Sequence, residues 1–383
     1  MKLVGLEAKK LLHTKAVYIF TGVCLIFNII LIILTSGERD YIKYVGEVVN
    51  TAGDQVDASF MEYLEKQPEN ILHDRLIENC RDAGKIYDVF DTRAFFRTYY
   101  NEHYIETSFL VRLFCAKYEK LGGSVRHLNS VNADSSVFAA EATSQVYSAL
   151  FTDVLKALLV EGIMIISLFT IFCFGIERQN LTDAIIYSSK KGRSLVKYKI
   201  VAAGVVSICF VLLLYIVTLT LFFTVWDFGG IWNTNVSSGF HYVIDLNLPY
   251  NKPFLTWTSF SVKEYFIASL FLELAVLVVW WLVSSCIGIL SSHSAKGFMI
   301  LAAFFILPYF LSSFFESLRL WWLFFINTFT ISMLTLNQHL WFTEMGVFEI
   351  LPWQEVLSVL IHLPVCSIIL YTAIRIFRRK ELS

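Results

Sequence analysis

Charge is scarce in this chain. Of its 383 residues only 16% are Asp, Glu, Lys or Arg, against about 25% in soluble domains. The signatures of common chemistries are also missing. There is no G-x-x-x-x-G-K-[ST] phosphate loop, and "SSKKGRS" and "HSAKG" are only fragments of one. There is no H-E-x-x-H and no G-x-S-x-G. The seven cysteines form no C-x-x-C and no metal spacing, and the eight histidines are dispersed. These absences exclude an ATPase and leave an intramembrane enzyme without a nucleophile or metal constellation. No cofactor is expected in this chain. A net charge of −1 gives no case for a nucleic-acid partner.

Apolar residues fill the chain instead. It is 56% hydrophobic and 16% aromatic, with a mean hydropathy of +0.60. Several runs exceed the roughly 18 residues that mark a spanning helix. Six spans are expected, at 16–35, 154–176, 200–225, 265–290, 297–315 and 356–377. The first run is long for a signal peptide, and "LTSGERD" offers no small-x-small cleavage site. The fold class is an all-α polytopic membrane protein.

Basic residues give the orientation. Lys2, Lys9, Lys10 and Lys15 precede the first span. Arg178, Lys190, Lys191, Arg193, Lys197 and Lys199 lie between the second and third. Lys296 lies before the fifth, and Arg375, Arg378, Arg379 and Lys380 end the chain. With six spans all four groups share one side, the cytoplasm, which places both termini inside a cell (cytoplasmic) membrane. Trp226, Trp232, Trp257, Trp321, Trp322, Trp341 and Trp353 mark the opposite interface. Leu320–Leu336 is apolar but only about seventeen residues long, too short for ~30 Å of hydrocarbon. It is expected to be a re-entrant or interfacial part of the 316–355 segment, with Pro308 kinking span five before it.

Residues 1–15 read as an amphipathic helix lying on the membrane lipid of the inner surface. Leu3, Leu6, Leu11 and Leu12 occupy one face, with Lys2, Glu7, Lys9 and Lys10 largely elsewhere. Residues 36–149 form a small, mainly helical extracellular domain: a helical pattern interrupted near Pro68, a second from Thr92 to Leu121, and a loop in "LGGSVRHLNSVNADSS". A second, shorter extracellular loop is 226–264. Cys80 and Cys115 share an oxidising setting and are candidates for a disulfide. His103 and Glu106 stand one helical turn apart, but no third ligand is evident and a solvated helix face is the favoured reading. Glu273 in span four and Asn28 in span one are candidate intramembrane polar sites. No second buried acid is expected beside Glu273. Glu161, Asp153 and Lys156 fall near the outer end of span two, where hydration is expected.

The polar island "GIERQNLTDAIIYSSKKGRSLVKYKI", residues 177–199 at its centre, is too long for a turn. "NLTDAIIYSSKKG" can form a short helix, with Asn180 or Thr182 as cap, Asp183 in the first turn and Gly192 past the end. This segment, the basic start "LEAKKLLHTKAVYIF" and the six-span frame together resemble the membrane (permease) subunit of a type-2, exporter-type ABC transporter, the ABC-2 family. The resemblance covers about two thirds of the chain. It implies that the island is a coupling helix docking in a groove of a separate ABC ATPase subunit, with Glu177, Arg178, Asp183, Tyr187, Ser188 and Lys190 as the candidate contacts. It also implies two ATPase copies that bind ATP and Mg, and a second permease subunit, either this chain again or a paralogue. Wide apolar surfaces suit a peptide or lipophilic cargo, an antimicrobial peptide among them. The alternative is a membrane receptor or sensor whose extracellular domain binds a ligand.

Overall fold

The computed structural model describes residues 2–81, 83, 85–99, 108–180, 182, 185–186, 192–243, 251–291 and 293–379. A short helix α1 (Lys2–Leu12) leads into α2 (Lys15–Thr35). Then come α3 (Arg39–Ala52), α4 (Ala58–Glu65), α5 (Ile71–Arg81), α6 (Thr92–Tyr99), α7 (Ser108–Ser130) and α8 (Thr143–Tyr147). A π-helical stretch, Ser148–Leu155, runs into α9 (Lys156–Gln179). The remaining helices are α10 (Leu195–Val225), α11 (Val262–Leu290), α12 (Ser294–Ser317), α13 (Trp321–Thr328), α14 (Ile331–Leu336) and α15 (Gln354–Arg379). The only sheet among the described residues is a two-residue ribbon, β1 (Tyr242–Val243) against β2 (Lys252–Pro253).

Among the described residues six helices are long and apolar enough to cross a membrane: α2, the run ending in α9, α10, α11, α12 and α15. The chain is an all-α, multi-pass membrane protein. The run ending in α9 is the centre of the bundle. Its apolar window is 72% buried, against 11% for α12, and α9 packs on α2, α10, α11 and α12. α11 begins at a capping box in which Ser261 and Glu264 satisfy each other's backbone amides. α1, the ends of α9 and α15 and the start of α10 gather at one end, where Arg193 donates to the Arg378 carbonyl at 2.8 Å. We call this the basic end and its opposite the far end.

Two local expectations are corrected. The loop expected from Leu121 to Ser136 is helical as far as Ser130. Leu121, Val125 and Leu128 are buried at helical spacing, and their burial outweighs the roughly 1 kcal/mol that each of Gly122 and Gly123 costs a helix. Gly122 is also where α6 comes close: a Cβ there would lie 3.0 Å from Thr92 Oγ1. Second, α1 turns Glu7 and Leu11 into the protein and leaves Leu3, Leu6 and Leu12 exposed. Leu320–Leu336, expected to be too short to span, holds two short helices, with Thr330 capping the second through the Met333 amide. Neither is long enough to span. The 36–149 segment shares its core with later parts of the chain. Phe95, Phe114, Tyr118 and Leu121 share one apolar cluster with Trp257, Trp321, Phe325 and Ile350.

α12 continues through Pro308, and the broken pair α13–α14 explains how. Proline has no N–H for the Phe304 carbonyl one turn back. Ser332 Oγ donates to that carbonyl at 2.9 Å. Asn327 Nδ2 donates to the Pro308 carbonyl at 2.7 Å and to Ser312 Oγ at 2.7 Å. Removing the hydroxyl with Ser332→Ala should therefore cost about 1–3 kcal/mol by orphaning a carbonyl that hydrocarbon cannot satisfy. In a Pro308→Ala background, where the backbone N–H returns, the same change should cost much less. A double-mutant cycle of unfolding free energies in mixed micelles measures the difference, and equal losses in both backgrounds would refute it.

Candidate functional site

Four features concentrate polar or concave chemistry. The first is at the basic end. Lys10 pairs with Glu7 at 2.8 Å and with Glu177 at 3.2 Å. Glu177 also pairs with Lys199, whose ammonium donates to the Cys173 carbonyl at 3.0 Å. Lys199 is fully buried and Glu177 nearly so. A buried cation survives only when paired and hydrogen-bonded, so this chain of ions ties α1 to the end of α9 and the start of α10. After α9 the Thr182 amide donates to the Glu177 carbonyl, and the Ile186 amide to the Thr182 carbonyl. A groove of about 460 Å³ runs between α1 and this turn, lined by Leu3, Leu6, Lys10, Glu177, Ile186 and Leu195. Of the six candidate contacts, Glu177 is at the groove. The Arg178 side chain and Asp183, Tyr187, Ser188 and Lys190 lie outside the described residues, as do His103 and Glu106.

The second feature is inside the bundle. Glu273 on α11 is fully buried and accepts from Tyr215 OH of α10 and from Gln338 Nε2, each at 2.9 Å. Asn28 on α2 donates to Glu161 of α9 at 2.8 Å and to Thr218 of α10 at 3.1 Å. The expectation of a hydrated Glu161 and a solitary buried Glu273 is corrected. Glu161 is 7% exposed, and Tyr215 and Thr218, one turn apart on α10, carry the two acids into one neighbourhood.

The third feature, at the far end, is legible nowhere in the sequence. Lys117 of α7 is fully buried. It donates to Glu344 at 2.7 Å and to the Gly346 and Glu349 carbonyls at 2.8 and 2.9 Å. Lys252 pairs with the other Glu344 oxygen at 3.0 Å. Tyr118 OH and the Gly346 amide complete the Glu344 shell. Burial opposes ionisation of Glu344, but the two ammoniums overcome it and hold the carboxyl well below the usual range. Glu349, which accepts from Trp257 Nε1 at 2.9 Å, goes the other way: burial, only partly offset by Lys117, drives it well above that range. The hub joins segments 227 residues apart, so no local spacing could announce it. Cys80 and Cys115 are both free thiols. The disulfide does not form because Cys80 is buried in the apolar cluster shared with the bundle, whereas Cys115 is exposed on α7. Burial pushes the Cys80 thiol up to about 12.

The fourth feature is a cavity of about 350 Å³ in the side of the bundle, walled by Phe20, Ile163, Trp280, Phe298, Leu301 and Phe305 from α2, α9, α11 and α12. It is almost wholly apolar.

Two predictions follow from the far end. Glu344→Ala leaves Lys117 and Lys252 without their carboxylate and should destabilise the protein by about 3–5 kcal/mol. Glu344→Gln, which keeps shape but not charge, should recover part of that in thermal unfolding; a loss under 1 kcal/mol for the alanine variant would refute the hub. The second concerns His241, stacked on Phe254 at 4.0 Å and bonded through Nδ1 to the Val236 carbonyl. Burial pushes its imidazole down to about 4. The unfolded chain takes up this proton near pH 6.5. Stability from the neutral ring is thus complete above 6.5 and is lost as pH falls toward 4, by about 3 kcal/mol at ~1.4 kcal/mol per unit. His241→Phe keeps the stack, cannot ionise and should flatten the slope of melting temperature against pH in that window.

Compared with protein families, with curated proteins and with solved structures, the chain matches none.

Proposed function

We propose that this chain is the permease subunit of an ATP-driven ABC exporter of the ABC-2 type, moving a peptide or lipophilic compound across the cytoplasmic membrane. A separate ATPase pair binds ATP and Mg, and the second permease subunit is this chain or a paralogue. The basic end is cytoplasmic and the far end extracellular, with α13–α14 as a re-entrant pair. The observation that carries the reading is the ionic tie Lys10–Glu177–Lys199. It fastens the surface helix, the island and two spans together, so that a push on the island moves spans instead of bending a loose loop. The apolar cavity beside α12 supports a lipophilic cargo.

A second reading, a receptor or sensor, draws on one observation. At the far end a cleft of about 340 Å³ lies between Ile86, Phe90, Asp91 and Phe95 on one side and Tyr242 and Pro253 on the other. Copurification separates the two readings: the transporter should bring down a P-loop ATPase, and the receptor should not.

Two further tests apply. In intact cells, in a Cys115→Ser background that removes the exposed native thiol, an impermeant thiol reagent should label Ser59→Cys and not Ser189→Cys, and the opposite pattern would overturn the orientation. Tyr187→Ala with Asp183→Arg should weaken ATPase recovery, because truncating an aromatic anchor can cost about 2 kcal/mol or more and a reversed charge adds repulsion. A plain solvated loop would tolerate both, since surface changes usually stay within about 0.5 kcal/mol. Unchanged ATPase recovery and unchanged cargo-dependent turnover would remove the docking role.

A further inference from the structure

We propose that Glu161 and Glu273 form a two-carboxyl proton-binding site inside the bundle, opening to the far end through His339. The inference is independent of the exporter reading and needs only that the six helices span a membrane.

Placement comes first. At 1.5 Å per residue, Glu273 lies about 16 Å from the far end of α11, and Asn28 and Thr218 about 10 Å from the far ends of α2 and α10. Against a ~30 Å hydrocarbon layer, Asn28 and Thr218 lie in the far half and Glu273 near the middle. The groups facing the carboxyls are Asn28 and Cys24 of α2, Tyr215 and Thr218 of α10, and Gln338 after α14. None is a cation. That separates this cluster from the ion networks at both ends of the molecule, where Glu177, Glu344 and Glu349 each have a lysine within 4 Å.

The hydrogen bonding points to the ligand. Asn28 and Gln338 are each 1% exposed, and their amide nitrogens rest on Glu161 and Glu273. The oxygens of the same two amides, Asn28 Oδ1 and Gln338 Oε1, have no partner. The cluster therefore has acceptors in excess and is short of donors and of positive charge. A metal ion would need several converging oxygens, whereas here donor N–H and O–H groups already rest on the carboxyls. A proton on a carboxyl supplies what is missing. It removes the charge that hydrocarbon opposes, and it turns one acceptor oxygen into a donor, to which a rotated amide can present its own oxygen.

A route to the far end adjoins the site. His339 follows Gln338, and its Nδ1 is also buried without a partner. Burial, reinforced by Lys156 nearby, pushes its imidazole down to about 4, so at neutral pH it is a neutral ring with one donor and one acceptor nitrogen. Asp153 and Lys156 stand half-buried where α9 begins. By contact the groups run from Asp153 and Lys156 through His339 and Gln338 to Glu273 and Tyr215, with Glu161 and Asn28 alongside.

Infrared spectroscopy of the purified full-length chain in lipid vesicles at neutral pH tests the site. The spectrum should contain protonated-carboxyl C=O absorption, and Glu161→Gln and Glu273→Gln should each remove one component of it. Glu349 contributes its own band, which cancels in the difference between wild type and variant. Should a glutamine variant fail to fold, Tyr215→Phe serves: it should shift the Glu273 component and leave the Glu161 component in place. His339→Phe should slow the downshift of both components after transfer to heavy water. Spectra in which neither glutamine variant alters the protonated-carboxyl region, or in which Tyr215→Phe shifts nothing, would overturn the site. Exchange unaffected by His339→Phe would overturn the route.

Discussion

Hydrocarbon offers a polar group no water, and the proline break in α12 is arranged around that constraint. The six spans satisfy their own backbones by being helical. At Pro308 a side chain takes the place of the missing bond. Pro308 frees the Phe304 carbonyl, and Ser332 answers it from the broken pair. Asn327 adds a bond to the Pro308 carbonyl itself. The α13–α14 pair is therefore more than a filler between two spans: its polar residues repair a helix that proline would otherwise have broken.

The same constraint sorts the acids. At the basic end Glu177 lies between two lysines, and at the far end Glu344 does as well. Between these ends Glu161 and Glu273 meet only amides, hydroxyls and a thiol. The molecule thus has charged hubs at its two polar ends and an uncompensated pair in its apolar middle. Both hubs bind segments distant in sequence, so each acts as a rigid joint. Motion of the spans must move α1 at one end and the α7 region at the other.

Run length alone made the six spans legible, because a stretch of about twenty apolar residues has no other stable home than a membrane or a large core. Asn28 and Glu273 were legible for the converse reason, as polar residues interrupting such runs. Glu161 was not, since its position near a span end suits hydration and its partner Asn28 lies 133 residues away. The helix from Leu121 to Ser130 was hidden by its glycine pair, whose local preference yields to burial of Leu121, Val125 and Leu128. α1 showed its period but not its rotation: Lys10 makes it favourable to bury Glu7, so the leucine-rich face points outward. Lys117 and Glu344 carry no local signal at all, because their meeting is a property of the finished topology.

That meeting has a consequence for how the molecule is born. Lys117 leaves the ribosome 227 residues before the carboxylate that neutralises it. At about 5–20 residues per second the wait is roughly 11–45 s. Through that interval α7 carries a lysine with nowhere to be buried, and Phe114 and Leu121 have yet to meet Trp321 and Phe325, with which they will share a core. The segment after the first span is the first part of the far end to be made and among the last to be completed, and it must be sheltered until the approach to the final span arrives. Cut out and expressed alone, it would keep that unfinished face permanently.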